Sequence, residues 1–120
     1  MLSIKRCRNI DTGLYNELLK LWNATGISNP ARSDSLVSIQ HSLENNGCLI
    51  LAYEDQALCG TAWLTHDFRR LYVHHMAVLP EKQNRGIGSK ILQEALQISS
   101  ELGYQAKLEV HHRNARALHL

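Results

Sequence analysis

A chain of 120 residues with 44% hydrophobic content supports one compact domain around one core and gives no sign of a second. The formal charge is only +2, and apart from Lys5-Arg6 and Arg69-Arg70 the 13 basic residues are scattered, which argues against a nucleic-acid platform with its basic stripe. Met1 leads straight into Leu2-Ser3-Ile4-Lys5 with no apolar signal core, and no run is long enough to span a bilayer, so no membrane partner and a cytoplasmic location are expected.

Residues 2–8 alternate Leu2, Ile4 and Arg6 against Ser3, Lys5 and Cys7, as an edge or half-buried strand does. Asp11-Thr12 can cap a helix in which Leu14, Leu18 and Leu21 recur at helical spacing, widened by Tyr15, Leu19 and Trp22, until Thr25-Gly26 ends it. A loop with Asn29-Pro30 follows. Ser33 to Ser35 offers caps for a second helix carrying Leu36, Ile39 and Leu43, closed by Asn45-Asn46-Gly47. The apolar run 48–53 predicts a strand buried on both faces, and 54–56 turns it back into a strand over 57–66, with Gly60 marking a bulge or a close-packing position. After a turn at 67–70 come a fourth strand over 71–79, a helix over 87–102, a stop at Gly103 and a fifth strand over 104–111. Cys7, Cys48 and Cys59 are odd in number and lack C-x-x-C spacing, and they fall in apolar segments, so they read as buried small hydrophobes.

This order, β-α-α-β-β-β-α-β followed by the start of a helix, predicts a single mixed α/β (α+β) domain over 1–120 with antiparallel hairpins and one crossover between parallel strands. A doubly wound dinucleotide fold would carry its glycine loop after the first strand. Here Gln83-Asn84-Arg85-Gly86-Ile87-Gly88 follows the fourth strand and opens the central helix. Pro80 stops the strand, the glycines let the backbone approach a ligand, and the first helical N–H groups together with the helix dipole suit a pyrophosphate. The amides from Arg85 to Ser89 are the candidate donors, with the Arg85 and Lys90 side chains adding charge at the rim.

The hexapeptide resembles the acetyl-coenzyme A loop of the GCN5-related N-acetyltransferases, Gln/Arg-x-x-Gly-x-Gly/Ala. Met76-Ala77-Val78-Leu79-Pro80 is similar to the end of that family's fourth strand, and Leu108-x-Val110 with Asn114-x-x-Ala117-x-x-Leu120 to its fifth strand and the start of its last helix. The resemblance implies the acyl-CoA N-acyltransferase fold, a central mixed sheet flanked by helices. It also implies an enzyme that passes acetyl from acetyl-CoA directly to a primary amine of a small molecule or peptide, with no metal. It places the pantetheine against the main chain of Met76, Ala77 and Val78, and the pyrophosphate against Gln83, Asn84, Arg85, Gly86, Ile87, Gly88 and Ser89. An N–H near Met76 then serves as the oxyanion donor, and Asn114 touches the cofactor or simply caps its helix.

A base is needed because an ammonium has no lone pair. The resemblance points to positions two and four residues before the oxyanion position, His74 and Tyr72; histidine as a residue type titrates near neutrality, which suits His74 to proton removal, while a hydrogen-bonded strand histidine without catalytic duty stays equally open. Strict alternation would put Tyr72, His74, Met76 and Val78 on one face and Val73, His75, Ala77 and Leu79 on the other. Acceptors in this family approach through the first two helices and their connection, where Arg32 could pair with an acceptor carboxylate. Two other classes stay open: a catalytically weak or silent acetyl-CoA-binding or regulatory domain, and a metal-binding module built on the seven histidines, among them His74-His75 and His111-His112. On alternating strands each such pair offers one ligand to a given site. Relative to the family pattern the chain stops at Leu120, before the Tyr and the final strands. The expectation is therefore an incomplete catalytic unit, or a homodimer through the open C-terminal sheet edge.

Overall fold

The computed structural model of the chain describes residues 1–26, 35–66, 70–103 and 105–108. Strand β1 (Leu2–Cys7) leads to helix α1 (Thr12–Thr25), helix α2 (Leu36–Glu44), and the strands β2 (Cys48–Glu54), β3 (Ala57–His66) and β4 (Arg70–Val78). One 3₁₀ turn, Pro80–Lys82, precedes helix α3 (Ile87–Leu102), and β5 (Gln105–Leu108) completes the set. The predicted element order is met, with the 3₁₀ turn as an addition. Of the fifth strand expected over 104–111, residues 105–108 are described, and the expected helix from Asn114 lies outside the described residues.

The strands lie in the spatial order β1-β2-β3-β4-β5. The first four are antiparallel neighbours, and β5 runs parallel to β4, pairing Arg70–Val73 with Gln105–Leu108. A parallel neighbour demands a crossover, and α3 supplies it. Side chains on β2 alternate between two cores, as its unbroken apolar run predicts. Ile50 and Ala52 join Ile87, Ile91 and Ala95 of α3 on one face, whereas Leu49 and Leu51 join Leu18, Leu21 and Trp22 of α1 and Ile39 and Leu43 of α2 on the other. The edge strand β1 also alternates as expected. Leu2 and Ile4 pack on the α3 side, and Arg6 on that side bonds Glu94 and Glu101 of α3. These three ionic groups are each about one-third to one-half exposed, so solvent screens their link and the burial of Ile91 in the core outweighs it.

Helix ends follow local chemistry. Asp11 caps α1 by accepting from the Leu14 N–H at 2.7 Å, and Ser35 caps α2 by accepting from the Ser38 N–H at 3.1 Å. Gly26 and Gly103 close α1 and α3 in the left-handed conformation, at φ 72° and 74°. Of the cysteines only Cys59 is buried. Cys7 and Cys48 are half-buried, because β1 is an edge strand that leaves its own residues and its neighbours partly open.

Two register slips shape the sheet. Between β2 and β3, Ala52 faces Gly60 but Tyr53 faces Leu58, so Cys59 is an inserted residue. The neighbouring Gly60 lies flat under α3, where a Cβ would stand 2.8 Å from Ile91 Cδ1 and 3.3 Å from both Ala77 O and Ile87 Cγ2. Close packing is thus the reason for this glycine, and the bulge lies beside it. Between β3 and β4, Thr61 faces Ala77 but Trp63 faces His74, so His75 and Met76 together span the interval that Ala62 spans alone, and His75 takes φ 48°.

This second bulge overturns the strict alternation expected for β4. Leu71 and Val73 face α3, and after the extra residue so do Met76 and Val78. Tyr72 and His74 lie on the other face, and His75 joins them against the rings of Trp22 and Trp63. His74 and Met76 therefore do not share a face, and His74 and His75 do.

Beyond β4, the turn toward α3 is tied to the end of β2. The Glu54 carboxylate accepts from Lys82 Nζ and, at 3.5 Å, from Arg85 Nη1. The hydrogen bond from Lys82 holds the Glu54 carboxyl below the ordinary carboxylate range. A depressed folded pKa means stability that is fully present above the unfolded pKa and is lost as pH falls through the folded one. The difference in melting temperature between wild type and Glu54→Gln should accordingly be constant near neutrality and close toward zero in acid; a difference that widens on acidification would contradict the assignment. Gly60→Val should lower stability by about 1–3 kcal/mol through overpacking against Ile91 and Ile87, read as a lower denaturant midpoint at unchanged m, and an unaltered midpoint would show that α3 is free to move outward.

Candidate active site

The segment after β4 is built to present main-chain donors. The Leu79 N–H bonds Cys59 O at 2.9 Å, and Pro80, with no N–H to satisfy, opens the 3₁₀ turn. Gln83 is extended, and its side-chain Nε2 donates back to Val78 O at 3.0 Å, so this side chain braces the loop rather than reaching outward. Asn84 at φ 66° and Gly86 at φ 80° then turn the chain twice through the left-handed region. Such turns gather successive N–H groups into an anion-sized concavity. Gly86 is the N-cap of α3, and no side chain caps the helix, unlike α1 and α2. Its requirement for glycine comes from φ alone, since an added Cβ would meet nothing within 4 Å. Ile87 and Gly88 are buried in the first turn, leaving only their backbone to act on a ligand. The exposed Arg85 shares its guanidinium with Glu54, and Lys90 is exposed on the first turn of α3.

Upstream on the same strand, the side chains of Met76 and Val78 are consumed by the α3-side core and that of Ala77 by the opposite one. What this stretch can offer a ligand is main chain. The bulge that produces it is held from below. Trp22 Nε1 donates to Thr61 Oγ1 at 3.0 Å, and Thr61 Oγ1 donates to the carbonyl oxygen of His75 at 3.0 Å. Both Trp22 and Thr61 are wholly buried.

On the α1 and α2 face of the bulge the rings converge. Trp22 and Trp63 stack with centroids 6.4 Å apart, and the His75 ring meets them edge-on at 4.7 and 5.3 Å. His74 meets Trp63 edge-on at 6.3 Å and stacks on Tyr72 at 6.2 Å. The ring of His74 is oriented by a 2.8 Å hydrogen bond between Nε2 and Thr65 Oγ1, and Trp63 is oriented by donating from Nε1 to Ser42 Oγ at 3.0 Å. Half-buried aromatic rings around a histidine make a surface of the kind that attracts a cation face-on.

The structure thus brings Tyr72, His74 and the Met76 main chain together at one bulge, and gathers Gln83 to Ser89 at one helix start. Arg32 and Asn114 lie outside the described residues, as do His111 and His112. Among the described residues no three His, Cys, Asp or Glu side chains form a group that could hold a metal ion, and no helix is long and apolar enough to cross a membrane. Trp63, Thr61 and Thr65 were not singled out from sequence. A Trp and two Thr at alternate positions of one strand are compatible with any half-buried sheet, and only the β4 register shows that they meet the bulge.

Comparison with known proteins gives the family and the fold. Residues 13–120 match the model of the acetyltransferase (GNAT) family. No match is found among curated proteins. Among solved structures, a GNAT family acetyltransferase from Streptococcus pneumoniae TIGR4 is 28% identical, with 93% of this chain and 77% of that one covered at a TM-score of 0.72. An acetyltransferase from Streptococcus agalactiae 2603 shares the fold at 17% identity, covering 96% of this chain and 76% of that one, with a TM-score of 0.79. An aminoglycoside acetyltransferase from an uncultured soil metagenomic sample, solved in complex with sisomicin, shares it at 22% identity, covering 98% and 83%, with a TM-score of 0.75. With a family model spanning nearly the whole sequence and a bulged fourth strand leading into a glycine-opened helix, the chain belongs to the GNAT family of acetyltransferases.

Proposed function

We propose that this chain transfers acetyl from acetyl-CoA directly to a primary amine carried by a small molecule or a peptide, in the cytoplasm. The observation that carries the reading is that one strand, β4, holds the bulge at His75 and leads through residues 79–86 to the start of α3, which no side chain caps. A ligand with a thioester at one end and a pyrophosphate at the other can lie along it. The pyrophosphate takes the N–H groups of Arg85 to Ser89, the pantetheine amides pair with the main chain of Met76 to Val78 as an added strand would, and Asn114 adds a contact from beyond the described residues.

The acceptor enters over the rings of Trp63, Tyr72 and His74, and Arg32 is the candidate partner for an acceptor carboxylate. His74, or Tyr72 in its place, takes the proton from the ammonium, directly or through water. The freed amine nitrogen attacks the thioester carbonyl carbon, and the oxyanion so formed is met by the Met76 N–H. The carbon–sulfur bond then breaks, the surplus proton left on the attacking nitrogen passes to the departing thiolate directly or through water, and the products are the N-acetyl amine and coenzyme A, with no acyl-enzyme. The bound sisomicin of the soil acetyltransferase supports a small-molecule amine as acceptor.

Thiol release from acetyl-CoA, measured without and with a chemically broad amine panel, should show acceptor-dependent turnover. Binding without any acceptor-dependent release would instead favour a silent cofactor-binding domain. His74→Ala should lower turnover by about 10²-fold or more at neutral pH with little change in cofactor binding. His75→Gly, which keeps the left-handed backbone but removes the ring, should cost less; equal losses in the two variants, or an unchanged pH profile in the first, would remove His74 as base. Coenzyme A at a hundredfold over its dissociation constant should add about 2.7 kcal/mol to wild-type stability. Gly86→Val, forced to φ 80°, should lose most of that gain, and a full gain in the variant would show that the loop is not the binding site.

A further inference from the structure

We propose that Thr61, itself held by Trp22, is a positioning residue for acetyl transfer: its hydroxyl locks the peptide between His75 and Met76 so that the Met76 N–H faces the thioester side of β4. The inference rests on the reading that an acetyl-CoA thioester is received there, and it adds a device that neither the family motif nor the glycine loop contains.

A bulge interrupts the regular ladder, and here a side chain bonds the carbonyl of the inserted residue. The Thr61 hydroxyl has one proton, and with Trp22 Nε1 donating to its oxygen at 3.0 Å that proton is directed to His75 O, also at 3.0 Å. Both residues are fully buried, so bulk water does not compete for these positions. Among the described residues every peptide bond is trans, so the His75 carbonyl and the Met76 N–H of the same planar unit point in opposite directions. Thr61 lies on β3, and the sheet order is β3-β4-β5. Drawing the carbonyl toward Thr61 therefore turns the Met76 N–H away from β3, to the side on which β5 lies. An oxyanion donor works only if it is aimed before charge develops, and the Trp22–Thr61 pair supplies that aim from the α1 side of the sheet.

Thr61→Val keeps the shape and removes the hydroxyl; Thr61→Ser keeps the hydroxyl; Trp22→Phe keeps an aromatic ring and removes the indole donor together with some buried volume. Steady-state kinetics with acetyl-CoA and the fastest amine of the panel should show kcat lowered about 10-fold or more in Thr61→Val at a nearly unchanged KM for acetyl-CoA. Thr61→Ser should restore most of kcat, and Trp22→Phe should fall between. A merely structural role would lower stability without separating kcat from KM. Wild-type kcat in Thr61→Val, a loss carried equally by KM, or no rescue by serine would overturn the proposal. If Thr61→Val does not fold, Trp22→Phe decides: wild-type kcat there refutes the relay. A wild type silent with every amine would remove the proposed function and this inference together, whereas an active wild type with unaffected variants removes this inference alone.

Discussion

The extra residue in β4 is the constraint on which the rest of the site depends. A regular strand would continue the ladder with β3 and alternate its side chains, leaving no peptide aimed out of register. With His75 inserted at φ 48°, Met76 and Val78 are returned to the α3 core, and both histidines are left on the face of Trp22 and Trp63. Holding a non-glycine residue in that conformation costs of order 1–3 kcal/mol. Burial of the large Trp22 ring and two hydrogen bonds through Thr61 offset a cost of that size.

The second requirement is a rigid platform beneath each end of β4. On one face α3 is docked through Ile87, Ile91 and Ala95, close enough that a side chain on Gly60 would press against Ile91 and Ile87. Glu54 ties the turn at Lys82 and Arg85 to the end of β2, so the loop with the left-handed Asn84 and Gly86 is anchored to the sheet on both sides. Donors that are main-chain N–H groups depend on φ values and register more than on side-chain identity. The fold itself is shared at 17% identity with the Streptococcus agalactiae acetyltransferase.

Much of this was legible in the sequence because local signals agreed with one another. Asp11, Gly26, Ser35 and Gly103 mark helix ends by chemistry that acts within a few residues, and the apolar run of β2 could be satisfied only between two layers. The Gln83 to Gly88 hexapeptide was readable for the same reason, since glycine and helix start coincide. The facing of the β4 side chains was not. A bulge is set by pairing with a strand more than ten residues away, and Val73-His74-His75-Met76 carries no glycine to betray it, so alternation was carried through the point where it fails. The pairing of Thr61 with Trp22 escaped notice for a related reason: 39 residues separate them, and only tertiary packing makes them partners.

The central claim is that one ligand spans the bulge and the start of α3, and amide chemical-shift mapping during titration with acetyl-CoA tests it most directly. The account predicts the largest shifts at the N–H groups of residues 84–89 and of Met76 to Val78, with coenzyme A reproducing the first set and losing most of the change at Met76 for want of the acetyl carbonyl. Absence of binding, or shifts centred instead on the open groove lined by Lys5, Arg6, Asp11 and Tyr53, would contradict it.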